Sequence, residues 1–128
     1  MNLDILKDKK ILFVEDDELI INSIEPVFKK VFQNIFMARN GEDGLNLFKE
    51  NQDVDFIITD IKMPKMNGLE MIGEIQKIKQ NIPTILITAD GEYDSFLKAD
   101  ELGVYRYILK PLDVQEILEA IIKHIENN

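Results

Sequence analysis

Two acidic groups in this 128-residue chain stand at the ends of apolar runs. Glu15-Asp16-Asp17-Glu18 follows Ile11 to Val14, and Asp60 closes the run that begins at Val54. Thr88 ends a third run, Ile85 to Ile87, and Lys110-Pro111 ends a fourth, Tyr105 to Leu109. Carboxylates gathered in one volume repel, so such a group either keeps a proton or is matched by cations. A lysine offers a flexible point charge, and a hydroxyl offers a hydrogen bond. Composition removes most other chemistry. With no cysteine there is no disulfide, thiolate zinc site or cysteine nucleophile. A single histidine, His124, four residues from the end, argues against His-rich metal sites and Ser-His-Asp hydrolysis.

The elements that must hold these residues alternate along the chain. The four runs, with a weaker fifth at Ile35 to Ala38, are too short for helices and mostly continuous rather than alternating. That pattern suits strands buried on both faces, as in a parallel sheet. Between them lie stretches of helical spacing. After Asp17 apolar residues recur at Ile20, Ile24, Val27 and Val31, with Ile21, Phe28 and Phe32 beside them; further stretches are Gly44–Glu50, Leu69–Lys79, Glu92–Leu102 and Val114–Ile125. Turn signals at Asn40-Gly41, Pro64, Asn67-Gly68, Asn81, Gly91 and Gly103 separate the elements. Five strands alternating with five helices make a doubly wound α/β sheet the economical solution, drawn as one domain over residues 1–128.

Two features of the first helix fit less smoothly. Pro26 lies inside it and is expected to kink it or make it locally irregular. Its apolar stripe is wide, about 140° against the usual ~100°, and Leu19 lies off it. Either the helix is well buried or part of this surface is a docking face.

In an open α/β sheet, ligands bind beyond the carboxyl ends of the strands, where strand order reverses. With strands ordered 2-1-3-4-5, the first and third are neighbours, and Glu15, Asp16 and Asp60 converge. A magnesium ion favours such a site, and Lys110 can reach it from the fifth strand. Metal, lysine and the Thr88 hydroxyl around one carboxylate suit a transferred phosphoryl group, with that carboxylate as nucleophile. Taken singly, each piece has a plainer reading: the acids as helix caps, Asp60 as a turn former, Thr88 as an ordinary strand residue, Lys110-Pro111 as a turn. Their coincidence at one end of successive strands favours the site.

The segments Phe-Val-Glu-Asp-Asp (13–17), Ile-Ile-Thr-Asp-Ile-Lys-Met-Pro-Lys-Met-Asn-Gly (57–68), Ile-Leu-Ile-Thr-Ala (85–89) and Tyr-Ile-Leu-Lys-Pro (107–111) carry a resemblance to response regulator receiver domains over essentially the whole chain. The resemblance implies a flavodoxin-like five-stranded sheet of order 2-1-3-4-5. It implies that Asp60 accepts a phosphoryl group from a phosphohistidine of a sensor histidine kinase or histidine phosphotransfer protein. Glu15, Asp16, Asp60 and the backbone carbonyl of Lys62 would hold Mg²⁺. Lys110 would pair with a phosphoryl oxygen, its bond to Pro111 being cis, and Thr88 with Tyr107 would form a switch that reshapes a downstream target's binding face. Lys62 and Asp90 flank the route of the hydrolytic water in the family, and an ion pair between them is expected to slow autodephosphorylation. Pro26, on a helix used in kinase docking, is expected to influence partner choice.

On this reading the chain modifies itself and is not a turnover enzyme. The alternative is a docking module on the same fold that works without phosphorylation. An Asp-nucleophile phosphatase would need its nucleophile in an Asp-x-Asp pattern after the first strand, and a flavin protein would need a phosphate loop there rather than four acids. The balance of 24 acidic to 15 basic residues, net −9, disfavours direct binding of nucleic acid. No apolar run reaches the ~18 to 20 residues of a membrane span, and no signal-peptide core follows Met1, so a cytoplasmic protein is expected. With no effector domain after Asn128 in this sequence, output through binding is expected unless the chain is a fragment of a longer protein, and phosphorylation-dependent dimerisation is left open. His124 is expected to cap carbonyls or lie in solvent.

Overall fold

The computed structural model describes residues 1–89 and 93–127. After a 3-10 turn at Leu3–Leu6 come β1 (Lys10–Val14), α1 (Glu18–Val31), β2 (Asn34–Ala38), α2 (Gly41–Glu50), β3 (Phe56–Thr59), α3 (Gly68–Ile78), β4 (Thr84–Thr88), α4 (Tyr93–Glu101), β5 (Arg106–Leu109) and α5 (Val114–Glu126). The strands form a parallel sheet in the order β2-β1-β3-β4-β5. This is the expected flavodoxin-like arrangement, and its reversal of strand order lies between β1 and β3.

Side chains alternate across the sheet, and each face is covered. Ile11, Phe13, Phe56, Ile58, Ile85 and Ile87 pack with Ile24 and Phe28 of α1 and Ile117 and Ile121 of α5. On the other face Leu12, Val14 and Ile57 meet Leu45 and Phe48 of α2 and Met71 and Ile75 of α3, while Leu86 meets Ile72 and Ala99. Continuous apolar runs are what strands buried on both faces require. The weak run at β2 is an edge strand, and four of its five residues are at least partly exposed.

Helix starts are set by side-chain caps. The carboxylate of Asp17 accepts the Leu19 amide at 2.9 Å, and Asn40 accepts that of Asp43 at 2.8 Å. Asn67 and Glu70 form a reciprocal capping box. The Asn40-Gly41 and Asn67-Gly68 pairs are therefore helix starts as much as turns, and α2 begins at Gly41 rather than Gly44.

The helix α1 runs from Glu18 to Val31 through Pro26 without a break. Pro26 and Asn22 both lie on its exposed side, where water can satisfy the carbonyl that the proline leaves without a donor. The wide stripe is core: Ile21, Ile24 and Phe28 are buried, Ile20, Val27 and Val31 half-buried, and Leu19 alone among these is largely exposed, at 80%. His124, in the last turn of α5, is half-buried rather than fully in solvent. Its half-buried ring stands edge-on between Phe56 and Tyr105, with centroids 5.3 and 4.7 Å away. Phe56 opens β3 and Tyr105 immediately precedes β5, so the ring rests on aromatic surface.

Among the described residues no helix is long and apolar enough to cross a membrane.

Candidate functional site

Register brings the acidic residues together. Val14 pairs with Thr59 across β1 and β3, so the next residue on each strand, Glu15 and Asp60, leaves the sheet at the same edge. The ladder continues through them: the Asp60 amide donates to Val14 and the Glu15 amide to Ala38, both at 3.0 Å. Glu15 and Asp60 are thus fixed by backbone pairing and are buried, at 0% and 6% exposure, while Asp16 is exposed. One carboxylate oxygen from each of Glu15, Asp16 and Asp60 lies within 4.8 Å of the others.

The other two acids of the run serve the backbone and the surface. Asp17 caps α1, and Glu18 makes a two-pronged pair with Arg39 at the end of β2, at 2.7 and 3.3 Å. The plainer reading of the acidic run as helix caps holds for Asp17 but not for Glu15.

The hydrogen bonds divide the donors unevenly. Asp60 Oδ1 accepts the Ile61 amide at 2.6 Å, and Oδ2 accepts Lys110 Nζ at 2.7 Å. Glu15 Oε2 accepts the amides of Asp16 and Asp17, each at 3.1 Å. Its other oxygen, Oε1, is buried and accepts no hydrogen bond among the described residues, with the Lys110 ammonium 3.4 Å away. Burial, then the charge of Asp60, push the Glu15 carboxyl up to about 7, against the pull of the Asp17 amide and Lys110. Burial lowers the Lys110 ammonium, but the hydrogen bond and charge of Asp60, with Glu15 behind, outweigh it and leave Lys110 above the ordinary lysine value. One ammonium therefore faces two buried carboxylates and an exposed one nearby.

This donor set fits a hard divalent cation. It consists of carboxylate oxygens with no thiolate in the chain, and it leaves a buried carboxylate oxygen without a hydrogen-bond donor. Beside it a cavity of about 260 Å³ is lined by Asp60, Lys62, Thr88, Ala89 and Lys110. Thr88 is buried at the end of β4, and its carbonyl accepts the Lys110 amide at 2.9 Å, which ties the lysine's backbone to the same edge. The Lys110-Pro111 bond is cis. Tyr107 pairs with Leu86 in the ladder, so it shares the sheet face of Leu86 and Thr88, and its ring leans on Phe96 at 5.4 Å between centroids. Of the expected site residues, Asp90 lies outside the described residues; the rest lie at or near this edge.

The loop from Asp60 to Gly68 holds residues that hydropathy and charge do not reveal. The Gly68 amide donates to Ile61 at 2.8 Å, and a Cβ on Gly68 would lie 1.9 Å from the Asp60 carbonyl oxygen. Only glycine permits that approach. At the tip the Met66 amide donates to Pro64 at 2.8 Å around Lys65, whose φ is 69°. This γ-turn is a strained conformation that the surrounding bonds must maintain. The Asn67-Gly68 pair was the available sequence signal.

Comparison with known proteins gives a consistent result. The family model of the response regulator receiver domain matches residues 11–122. The chain is 33% identical over 120 residues to sporulation initiation phosphotransferase F of Bacillus subtilis, covering 94% of this chain and 96% of that protein. It covers less of some longer relatives, 51% and 27% of two transcriptional regulators. Among solved structures, the N-terminal domain of an uncharacterized protein from Wolinella succinogenes superposes with a TM-score of 0.85 at 37% identity, covering 92% of this chain and 96% of that one. The crystal structure of a CheX-CheY-BeF3-Mg complex from Borrelia burgdorferi matches with a TM-score of 0.84 at 26% identity, covering 98% and 95%.

The raised Glu15 carboxyl sets a pH dependence. The folded chain keeps a proton that the unfolded chain has lost, so this contribution is complete below 4.5 and is lost as pH rises to about 7. In EDTA, urea unfolding at a series of pH values is expected to show stability falling by about 3 kcal/mol across this window and then levelling. Glu15→Gln is expected to remove that fall; an equal slope in both proteins contradicts the assignment.

Proposed function

The chain belongs to the response regulator receiver family of two-component signalling, and we propose that it is a phosphoacceptor switch in which Asp60 takes the phosphoryl group. The observation that carries this reading is the Asp60 carboxylate itself. It is buried, oriented by the Ile61 amide and Lys110, and opens on a cavity that also holds Thr88 and Lys62. In the transfer an Asp60 oxygen attacks the phosphorus of a phosphohistidine. A P–O bond forms, the P–N bond breaks, and its electron pair leaves with the imidazole. Lys110 gives up its bond to Asp60 Oδ2 and turns to a phosphoryl oxygen, while the Thr88 hydroxyl donates to another. Mg²⁺ held by Glu15, Asp16, Asp60 and the Lys62 carbonyl would supply positive charge for the phosphoryl oxygens and offset the carboxylate repulsion.

The output follows from movement on one sheet face. Drawing Thr88 toward the phosphoryl group opens room for Tyr107 to turn inward, at the expense of its contact with Phe96. Phe96, Leu97 and Leu109 are exposed beside it, at 52%, 41% and 56%, so the change alters an apolar surface that a downstream target can read. A charge change at Asp60 thereby biases a packing equilibrium. The partners are a sensor histidine kinase or histidine phosphotransfer protein, then a protein target, in the cytoplasm. Self-modification replaces turnover. The relatives' names support this: one is called a phosphotransferase, and another is crystallised with BeF3 and Mg.

Intact-protein mass after incubation with acetyl phosphate and Mg²⁺ tests the assignment. A single phosphoryl increment is expected in the wild type and not in Asp60→Asn or in EDTA. No increment in any condition leaves the docking-module reading, and an increment persisting in Asp60→Asn identifies a different carboxylate. On the same phosphoprotein, Lys62→Asn is expected to lose its phosphoryl group several-fold faster, through loss of the proposed pair with Asp90; equal lifetimes would sink that pair.

A further inference from the structure

We infer that Gly41, at the first turn of α2, is a positioning residue for the phosphoacceptor loop, acting through the carbonyl of Met66. The inference rests on the reading of Glu15, Asp16 and Asp60 as a cation site. The atoms nearest a Cβ on Gly41 belong to Met66 and Asn67 rather than to those residues. The Gly41 amide, one of the donors that a helix start leaves without a partner inside the helix, instead donates to Met66 at 2.9 Å. This bond is a lateral tie between the loop after β3 and a neighbouring helix.

Contact at Gly41 is too close for any other residue. A Cβ there would lie 2.3 Å from the Met66 carbonyl oxygen, 2.8 Å from its carbon and 3.0 Å from the Asn67 carbonyl oxygen. All three are backbone atoms and cannot swing aside as a side-chain tip can. Gly44, one turn on, differs in kind, because its Cβ would meet side-chain atoms, Met71 Sδ at 2.6 Å and Val14 Cγ2 at 2.9 Å.

The loop has few ways to absorb a push at Met66. On one side Asn67 is locked in the capping box of α3, and Gly68 is bonded to Ile61. On the other, the strained γ-turn at Lys65 joins Met66 to Pro64. Displacement is therefore passed back toward Ile61 and Lys62, which follow Asp60 directly. The Ile61 amide orients Asp60 Oδ1, and Lys62 lines the cavity. Gly41 fixes the loop by two means, a hydrogen bond and the absence of a side chain, and both act on the oxygen donors.

Calorimetric titration with Mg²⁺ tests this in the full chain, without phosphorylation. Gly41→Ala is expected to bind Mg²⁺ roughly tenfold more weakly than the wild type, the usual cost of disturbing groups that orient metal ligands. Gly44→Ala is expected to lower thermal stability while keeping wild-type affinity within about twofold. Equal affinity in Gly41→Ala and the wild type overturns the inference alone; absence of binding in the wild type overturns the cation site and the inference with it. If Gly41→Ala does not fold, amide exchange in the wild type decides. Mg²⁺ is expected to slow exchange at Gly41 but not at Asp43, whose amide is held by Asn40; no slowing at Gly41 overturns the inference.

Discussion

Repulsion among three carboxylates is the constraint around which this structure is organised. Their nearest oxygens lie within 4.8 Å, and Glu15 and Asp60 are fixed there by ladder bonds that leave neither strand end free to retreat. A sheet apolar on both faces supplies the stability that makes such crowding tolerable: every residue of β3 and β4 is buried. Lys110 meets the repulsion part-way, bonding Asp60 and standing 3.4 Å from a Glu15 oxygen that no donor among the described residues satisfies. Burial, and then the charge of Asp60, favour a proton on Glu15, which a bound cation would displace. Active sites commonly carry such destabilisation at the expense of the fold around them.

The backbone of the site and its side chains are held differently. Stillness comes from backbone: the Asp60 amide on Val14, Gly68 on Ile61 and the capped start of α3. On the proposed reading, movement is left to side chains. Lys110 is held by charge rather than packing, and Tyr107 is half-buried against Phe96, itself half-exposed, rather than sealed in a core. On that reading, a phosphoryl group added at Asp60 would change charge where the backbone is fixed, and its effect would pass to those side chains.

Much of this was legible in the sequence, for physical reasons. The strands β1 and β4 read clearly because burial on both faces demands unbroken apolar runs. Edge positions blur that signal: β2 exposes part of its surface, and β5 has Arg106 and Leu109 exposed. The convergence of Glu15, Asp60, Thr88 and Lys110 was legible because successive strands of a parallel sheet end at one edge. The 3-10 turn at Leu3–Leu6, which buries Leu6 completely, was not expected, since four residues show no period. The approaches of Gly41 to Met66 and Gly68 to Asp60 were also invisible, because contact between backbones leaves no trace in hydropathy or charge. The place of His124 between two aromatic rings depended on tertiary packing of α5 that helical spacing alone does not specify.

The most direct test of carboxylate crowding as the central constraint is the proton count on Mg²⁺ binding, measured by calorimetry in buffers of different ionisation enthalpy. With the Glu15 carboxyl at about 7, binding at pH 7 is expected to release about half a proton, falling toward zero by pH 9. Binding at pH 7 with no proton released would mean that the three carboxylates are already ionised together without the cation, and the account would be wrong.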